Sequence, residues 1–320
     1  MNEKPHRPLT IPSWAAGMRV DKYLARRFPN HSRTSLVRGI RNGEVCDQSG
    51  TPLRAGARLK GEQTLLLTLP GIAPDGAPPP LPHILHIDER VIVLDKPAGL
   101  LAHPSGLDFS WAVIGLAKDR WPDDRIDLVH RLDRDTSGVI VLTRDIEANR
   151  ILKAAIKEGN CEKHYEALCR GEIAWNTRTL EGPIGSDPGK IRIKMAVRDD
   201  GLSARTDVRV VARKPNMTHV ACRIHTGRTH QIRVHLDSVG HSLIGDRMYG
   251  VPEEVFLHTL DHGADSWVRE QAGAPRQALH ATRVTLPHPN GETMTFHSPL
   301  PADLVRWWND PGVLPHAGLS

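Results

Sequence analysis

The stretch best equipped for chemistry is residues 129–142, VHRLDRDTSGVIVL. Two carboxylates, Asp133 and Asp135, stand among Arg131 and Arg134, and the segment then turns apolar at residues 139–142. A charged loop feeding a buried strand is how rigid scaffolds present reactive groups. Paired carboxylates suggest acid–base work on a glycosidic bond. Residues two apart on one loop, however, do not readily flank a sugar from opposite faces. Asp-Thr-Ser-Gly is also ordinary turn chemistry, and a salt-bridged structural loop would use the same residues. Residue types alone leave both readings open.

Other chemistries find little support. His225, His230 and His235 recur every five residues, which puts them on one face of neither a helix nor a strand, so no metal site is expected. The cysteines at 46, 161, 169 and 222 form no CxxC pair, which argues against zinc and against a disulfide framework. Gly-rich phosphate loops, a GxSxG elbow and an HExxH helix are absent. No cofactor is expected.

The elements that must position these residues fall into three parts. The chain has 320 residues, 39% apolar and 25% charged, with a formal net charge of +5. That is ordinary globular usage and suggests two domains. The basic character is local: residues 19–62 hold ten lysines and arginines against four acids. There, residues 21–28 read as a short helix, and residues 34–42 as a second, with Ser32 as N-cap and Gly43 as C-cap. Leu36, Val37 and Ile40 would face inward, while Arg33, Arg38 and Arg41 project outward. Strands are expected at 44–47 and 64–69 around a Ser49-Gly50 turn.

Six prolines between Pro70 and Pro82 block regular pairing and mark a linker. The expected organisation is therefore a domain over 1–70, a linker over 71–83 and a larger domain over 84–310. In the larger domain apolar runs come as hairpins, at 84–87 with 91–94, at 208–212 with 219–224, and at 283–286 with 293–296. A further strand is expected at 139–142 and helices at 146–157 and from about 229. The expected class is α+β, with a mixed, mostly antiparallel central sheet, flanking helices and a catalytic cleft, plus a small N-terminal α/β domain. Residues 253–275 read as an inserted loop, with Gly263, Gly273 and Pro275 as its breakers.

The string HRLDRDTSG resembles the signature of RluA-type pseudouridine synthases. Four more motifs, in order, resemble the same family: LDKPAGLLAHPSG (94–106), KHYEALCRG (163–171), IHTGRTHQIRVHL (224–236) with GHSLIGDRMYG (240–250), and ALHATRVTLPHPNGE (278–292). The resemblance implies isomerisation of uridine to pseudouridine in RNA, with Asp133 as the essential carboxylate. It implies that Arg233 pairs with Asp133, that Tyr165 lies against the target base, and that Arg131 fills the space of an extruded base. Arg228 and His230 are expected to contact RNA. Residues 19–62 resemble a ribosomal-protein RNA-binding module, which makes Arg33, Arg38 and Arg41 expected RNA contacts.

The N-terminal module and residues 183–197 resemble the branch acting on large-subunit ribosomal RNA, so that RNA or a ribosome precursor is the expected partner. Alternatives are an enzyme acting on transfer RNA and a ribosome-assembly factor that binds RNA without chemistry. Residues 104–130 carry no family string, and Ser242 stands where proline is common. With no long apolar run and no leader-like start, a cytoplasmic monomer without a membrane span is expected.

Overall fold

A computed structural model describes residues 7–28, 33–68, 78–104 and 111–314. It divides into two compact units, Met1–Leu81 with Leu100–Ile126, and Pro82–Gly99 with Asp127–Ser320. The Ser32 cap and the linker prolines Pro70 and Pro74 lie outside the described residues.

In the first unit β1 (Arg7–Thr10), β2 (Val45–Asp47) and β3 (Thr64–Leu67) form an antiparallel sheet in the order β1-β3-β2. Helices α1 (Val20–Arg27) and α2 (Arg33–Arg41) share its core. Leu24, Leu36 and Ile40 meet Val45, Leu65 and Leu67 there, all essentially without solvent contact. Burying each such side chain contributes roughly 1.5–3 kcal/mol relative to exposure. Gly43 closes α2 in the left-handed conformation, φ +77°. Arg38 and Arg41 are exposed, as the helical spacing requires. Helix α3 (Val113–Arg120) belongs to the same unit, and Arg27 Nη2 donates to Asp119 on it at 2.9 Å.

The second unit is built on a mixed sheet of ten strands among the described residues: β4 (His83–Ile87), β5 (Val91–Lys96), β6 (Asp127–Leu128), β7 (Ser137–Thr143), β8 (Glu162–Arg170), β9 (Thr177–Glu181), β12 (Arg205–Lys214), β13 (Met217–Ile224), β14 (Leu279–Pro287) and β15 (Thr293–His297). The order is β4-β5-β7-β14-β8-β13-β12-β9, with β6 also on β7 and β15 also on β14. The β7–β14 pair is parallel and the other pairs are antiparallel. A small hairpin of β10 (Ile184–Ser186) and β11 (Met195–Val197) stands apart. Helices α4 (Ile146–Lys157), α5 (Gln231–Asp237), α6 (Glu253–His262), α7 (Ser266–Ala272) and α8 (Ala302–Asn309) complete the unit. The α+β class and mostly antiparallel sheet read from the sequence are what the chain adopts.

Two readings need correction. Residues 253–275 are not a loop, because α6 and α7 occupy most of them. Glu253 and Glu254 suit the positive end of α6, and the Asp265 carboxylate caps α7 by accepting from Val268 N–H at 2.9 Å. Gly263 and Gly273, taken as loop breakers, are the residues that terminate the helices. The helix after the TGRTH string starts at Gln231, because His230 before it is left-handed, φ +58°.

Candidate active site

Asp133 lies in the loop between β6 and β7. Thr136 N–H donates to the Asp133 carbonyl at 3.2 Å and closes the turn. Strand β7, SGVIVLT, is buried at every position, so the loop leaves from a fixed base. Gly138 makes the parallel pairing with β14 possible: at φ +111°, a Cβ there would lie 2.2 Å from the Ala281 carbonyl oxygen.

Neighbouring segments pin this loop from several sides. Lys96, fully buried at the end of β5, donates from Nζ to the carbonyls of Pro97 and Arg134, each at 2.9 Å. Arg276 Nη1 donates to the Asp135 carbonyl at 3.1 Å, and Arg247 forms an ion pair with the Asp135 carboxylate. Gln277 Nε2 donates to Thr136 Oγ1 at 2.8 Å and reaches Asp133 Oδ2 at 3.5 Å. Asp135 is therefore an anchor of the loop, while the Asp133 side chain stays 30% exposed and can be approached.

Helix α5 delivers Arg233. Its Nη1 donates to Asp133 Oδ2 at 2.9 Å, while Nε and Nη2 grip Asp246 at 2.7 and 2.9 Å. Asp246 has no solvent contact and also accepts from the backbone N–H groups of Met248 and Tyr249. The bidentate fork fixes the guanidinium plane and so the direction of the free Nη1. Tyr249 lies under the same guanidinium, 4.9 Å from its centre, and its hydroxyl is hydrogen-bonded to His230 Nδ1 at 2.9 Å.

The electrostatics follow from this packing. Burial pushes the Asp133 carboxyl up, but His230, Arg233 and the hydrogen bonds from Arg233 and Gln277 outweigh it and hold the group below its ordinary value. Burial likewise works against charge on Arg233, and Asp246 and Asp133 more than restore it. His230 is pushed down to about 4 by burial and by Arg233, so it is uncharged at neutral pH. Arginine is then the standing cation beside Asp133. Lys96 is lowered to about 7, first by burial, with Asp135 and Asp133 opposing.

Of the residues singled out by sequence, Asp133 and Arg233 are in direct contact. Tyr165, buried on β8, has its hydroxyl pushed well up by burial and then by the Asp133 charge, which puts the two in one electrostatic neighbourhood. His230 feels the same two charges. Arg131 is exposed on the Asp133 loop. Arg228 is half-buried, with Nε donating to the Ser203 carbonyl at 3.0 Å. Arg33, Arg38 and Arg41 belong to the first unit, and Arg33 Nη2 donates to Asp21 at 2.6 Å. The sequence reading passed over Asp246, Gln277 and Lys96. Asp246 and Lys96 lie inside the GHSLIGDRMYG and LDKPAG strings and Gln277 directly precedes ALHATR, which was the available signal. Among the described residues no cluster of three or more metal-ligating side chains occurs, and no helix is long and apolar enough to cross a membrane.

Residues 90–238 match the profile of the RNA pseudouridylate synthase family. A protein of Xanthomonas campestris pv. campestris, named ribosomal large subunit pseudouridine synthase D, is 37% identical over 311 residues, spanning 94% of this chain and 91% of its own. The chain belongs to the RNA pseudouridylate synthase family, in its RluA-type branch. A Nitrosomonas europaea protein of the same name is 35% identical over 98% of this chain and 90% of its own. The solved structure of human RNA pseudouridylate synthase domain containing 1 covers 71% of this synthase, and 86% of its own chain takes part. Its TM-score is 0.55 at 24% identity, a likeness of fold. The synthase is an isomerase, and the β7, β8 and β13 strands with α5 carry its family strings.

Proposed function

We propose that this synthase converts uridine to pseudouridine in large-subunit ribosomal RNA and that Asp133 is its essential carboxylate. The observation that carries the reading is the contact between Asp133 and an arginine whose other edge is locked by a fully buried aspartate. Such a carboxylate stays ionised in a partly dry site. The ribosomal substrate is supported by the names of the relatives that span most of the chain.

The isomerisation breaks the bond between the sugar and N1 of uracil, turns the base and joins its C5 to the same sugar carbon. The C5 proton is expelled. An ionised Asp133 serves this in either of two ways, by adding to the sugar carbon as a nucleophile or by removing a sugar proton. In both, Arg233 keeps the carboxylate charged and aimed. Tyr165 offers a buried aromatic face for the base. A paired uridine must first leave its stack, at a cost of a few kcal/mol. The exposed Arg131 is placed on the loop next to Asp133 and is the side chain suited to fill the vacated space. Arg38 and Arg41 of the first unit supply phosphate contacts.

The test is tritium release from RNA labelled at C5 of uridine, with ribosomal and transfer RNA transcripts assayed separately. Wild type should release tritium from the large-subunit transcript, and Asp133→Asn should release none while binding RNA normally. Release from transfer RNA alone would replace the substrate. Binding without release from any transcript would turn the reading toward an assembly factor.

A further inference from the structure

Lys163 sits near the start of β8, between Ile224 of β13 and Val284 of β14. Only 4% of its surface reaches solvent. No described residue forms a hydrogen bond or ion pair with its ammonium. Nearby are the Cys161 thiol and His130, neither of which balances the charge: burial pushes the thiol up, and burial with the Lys163 charge holds His130 down to about 3. The third neighbour is the backbone of Gly227, where a Cβ would lie 3.5 Å from Nζ.

The ammonium keeps a narrow contact with solvent, but a nearly buried cation with no counter-charge is still costly, and an apolar side chain of the same length would be cheaper there. The missing partner is best sought in the substrate. Lys163 precedes Tyr165 by two positions, so the two project from the same face of β8, about 7 Å apart. Gly227 is exposed and has no side chain to keep a ligand off, and Arg228 follows it. An anion arriving over Gly227 would meet the ammonium directly behind it.

We propose that Lys163 binds a backbone phosphate of the RNA at the target nucleotide, reached across Gly227. This rests on the reading of Asp133 and Tyr165 as the site. A phosphate fits better than the uracil ring, because it carries a full charge before and after reaction and lies one sugar away from the base. Lysine acts toward it as a compact point charge. Desolvation lowers the Lys163 pKa, and an arriving phosphate would raise it again.

The test uses the full chain, with Lys163→Met keeping the hydrocarbon stem. RNA transcript binding is measured across a salt series, alongside thermal melts and single-turnover tritium release. Lys163→Met should weaken binding about tenfold, flatten the plot of log affinity against log salt by about 0.7–0.9, and melt no lower than wild type. If that variant does not fold, Lys163→Gln gives the same salt reading. An unchanged slope overturns the proposal, whether the melt falls, which would make Lys163 structural, or the rate alone collapses, which would put it on the base. Absence of tritium release from wild type would sink the isomerase reading, and the salt slope would still judge Lys163.

Discussion

Arg233 Nη1 meets the Asp133 carboxylate at 2.9 Å. The contact is aimed from behind, since the rest of the guanidinium is engaged by Asp246, which no solvent reaches. Charge alone would not reproduce this. Arg233→Lys keeps the cation but cannot serve two carboxylates through a planar fork. Its single-turnover rate should fall by about two orders of magnitude, on the scale of losing one preorganised donor. Asp246→Asn breaks a buried pair and should cost about 3–5 kcal/mol in melts besides slowing the reaction. A wild-type rate in Arg233→Lys would remove the fork from the explanation.

The pH profile follows from His230. Its folded value, about 4, lies below the ordinary histidine value, so it remains neutral from mildly acidic to basic solution. Asp133 is held below the carboxylate range and Tyr165 is raised, so neither titrates near neutrality. These three groups should therefore put no limb in the single-turnover rate between about pH 5.5 and 8, and a limb near 7 would report Lys96, which pins the Asp133 loop. Stability behaves differently. The unfolded chain takes up a proton on His230 below about pH 6.5 that the folded chain refuses until about pH 4, so this contribution is lost as pH falls through that window. A rate limb near 6.5 that disappears in His230→Asn would contradict the assignment.

Much of this was legible in the chain. Residues 146–157 read as a helix because apolar positions recur at helical spacing, and Asp145 caps it in the fold. The hairpins were visible where turns such as Asn290-Gly291 separate apolar runs. β9 was not, because as an edge strand it buries only Leu180 and leaves no alternation to read. The Asp133–Arg233 pair came from the resemblance: residues 100 positions apart show no spacing signal. Asp246 stayed hidden for the same reason, since its partner is on another element and a buried carboxylate looks like any other in sequence.

Asp21 separates the arginines of the first unit that serve its structure from those proposed to bind RNA. Its carboxylate is 1% exposed and is held by Arg19 and Arg33. The hydrogen bond from Arg19, with further help from Arg33 and against the cost of burial, lowers it to about 2. Because the folded value is below the unfolded one, about 3.9, the stabilisation is complete above about pH 4 and is lost as pH falls toward 2. The two arginines are half-exposed, so screening leaves only a fraction of what the shift alone would imply. Asp21→Asn should forfeit that at neutral pH and flatten the acid dependence of urea melts. Arg33→Ala should likewise act on stability. Arg38→Ala and Arg41→Ala, on exposed side chains of the same helix, should leave the melt unchanged and each reduce the salt slope of RNA binding by about 0.7–0.9. An equal loss of slope in all three, with unchanged melts, would show that Arg33 leaves Asp21 for RNA.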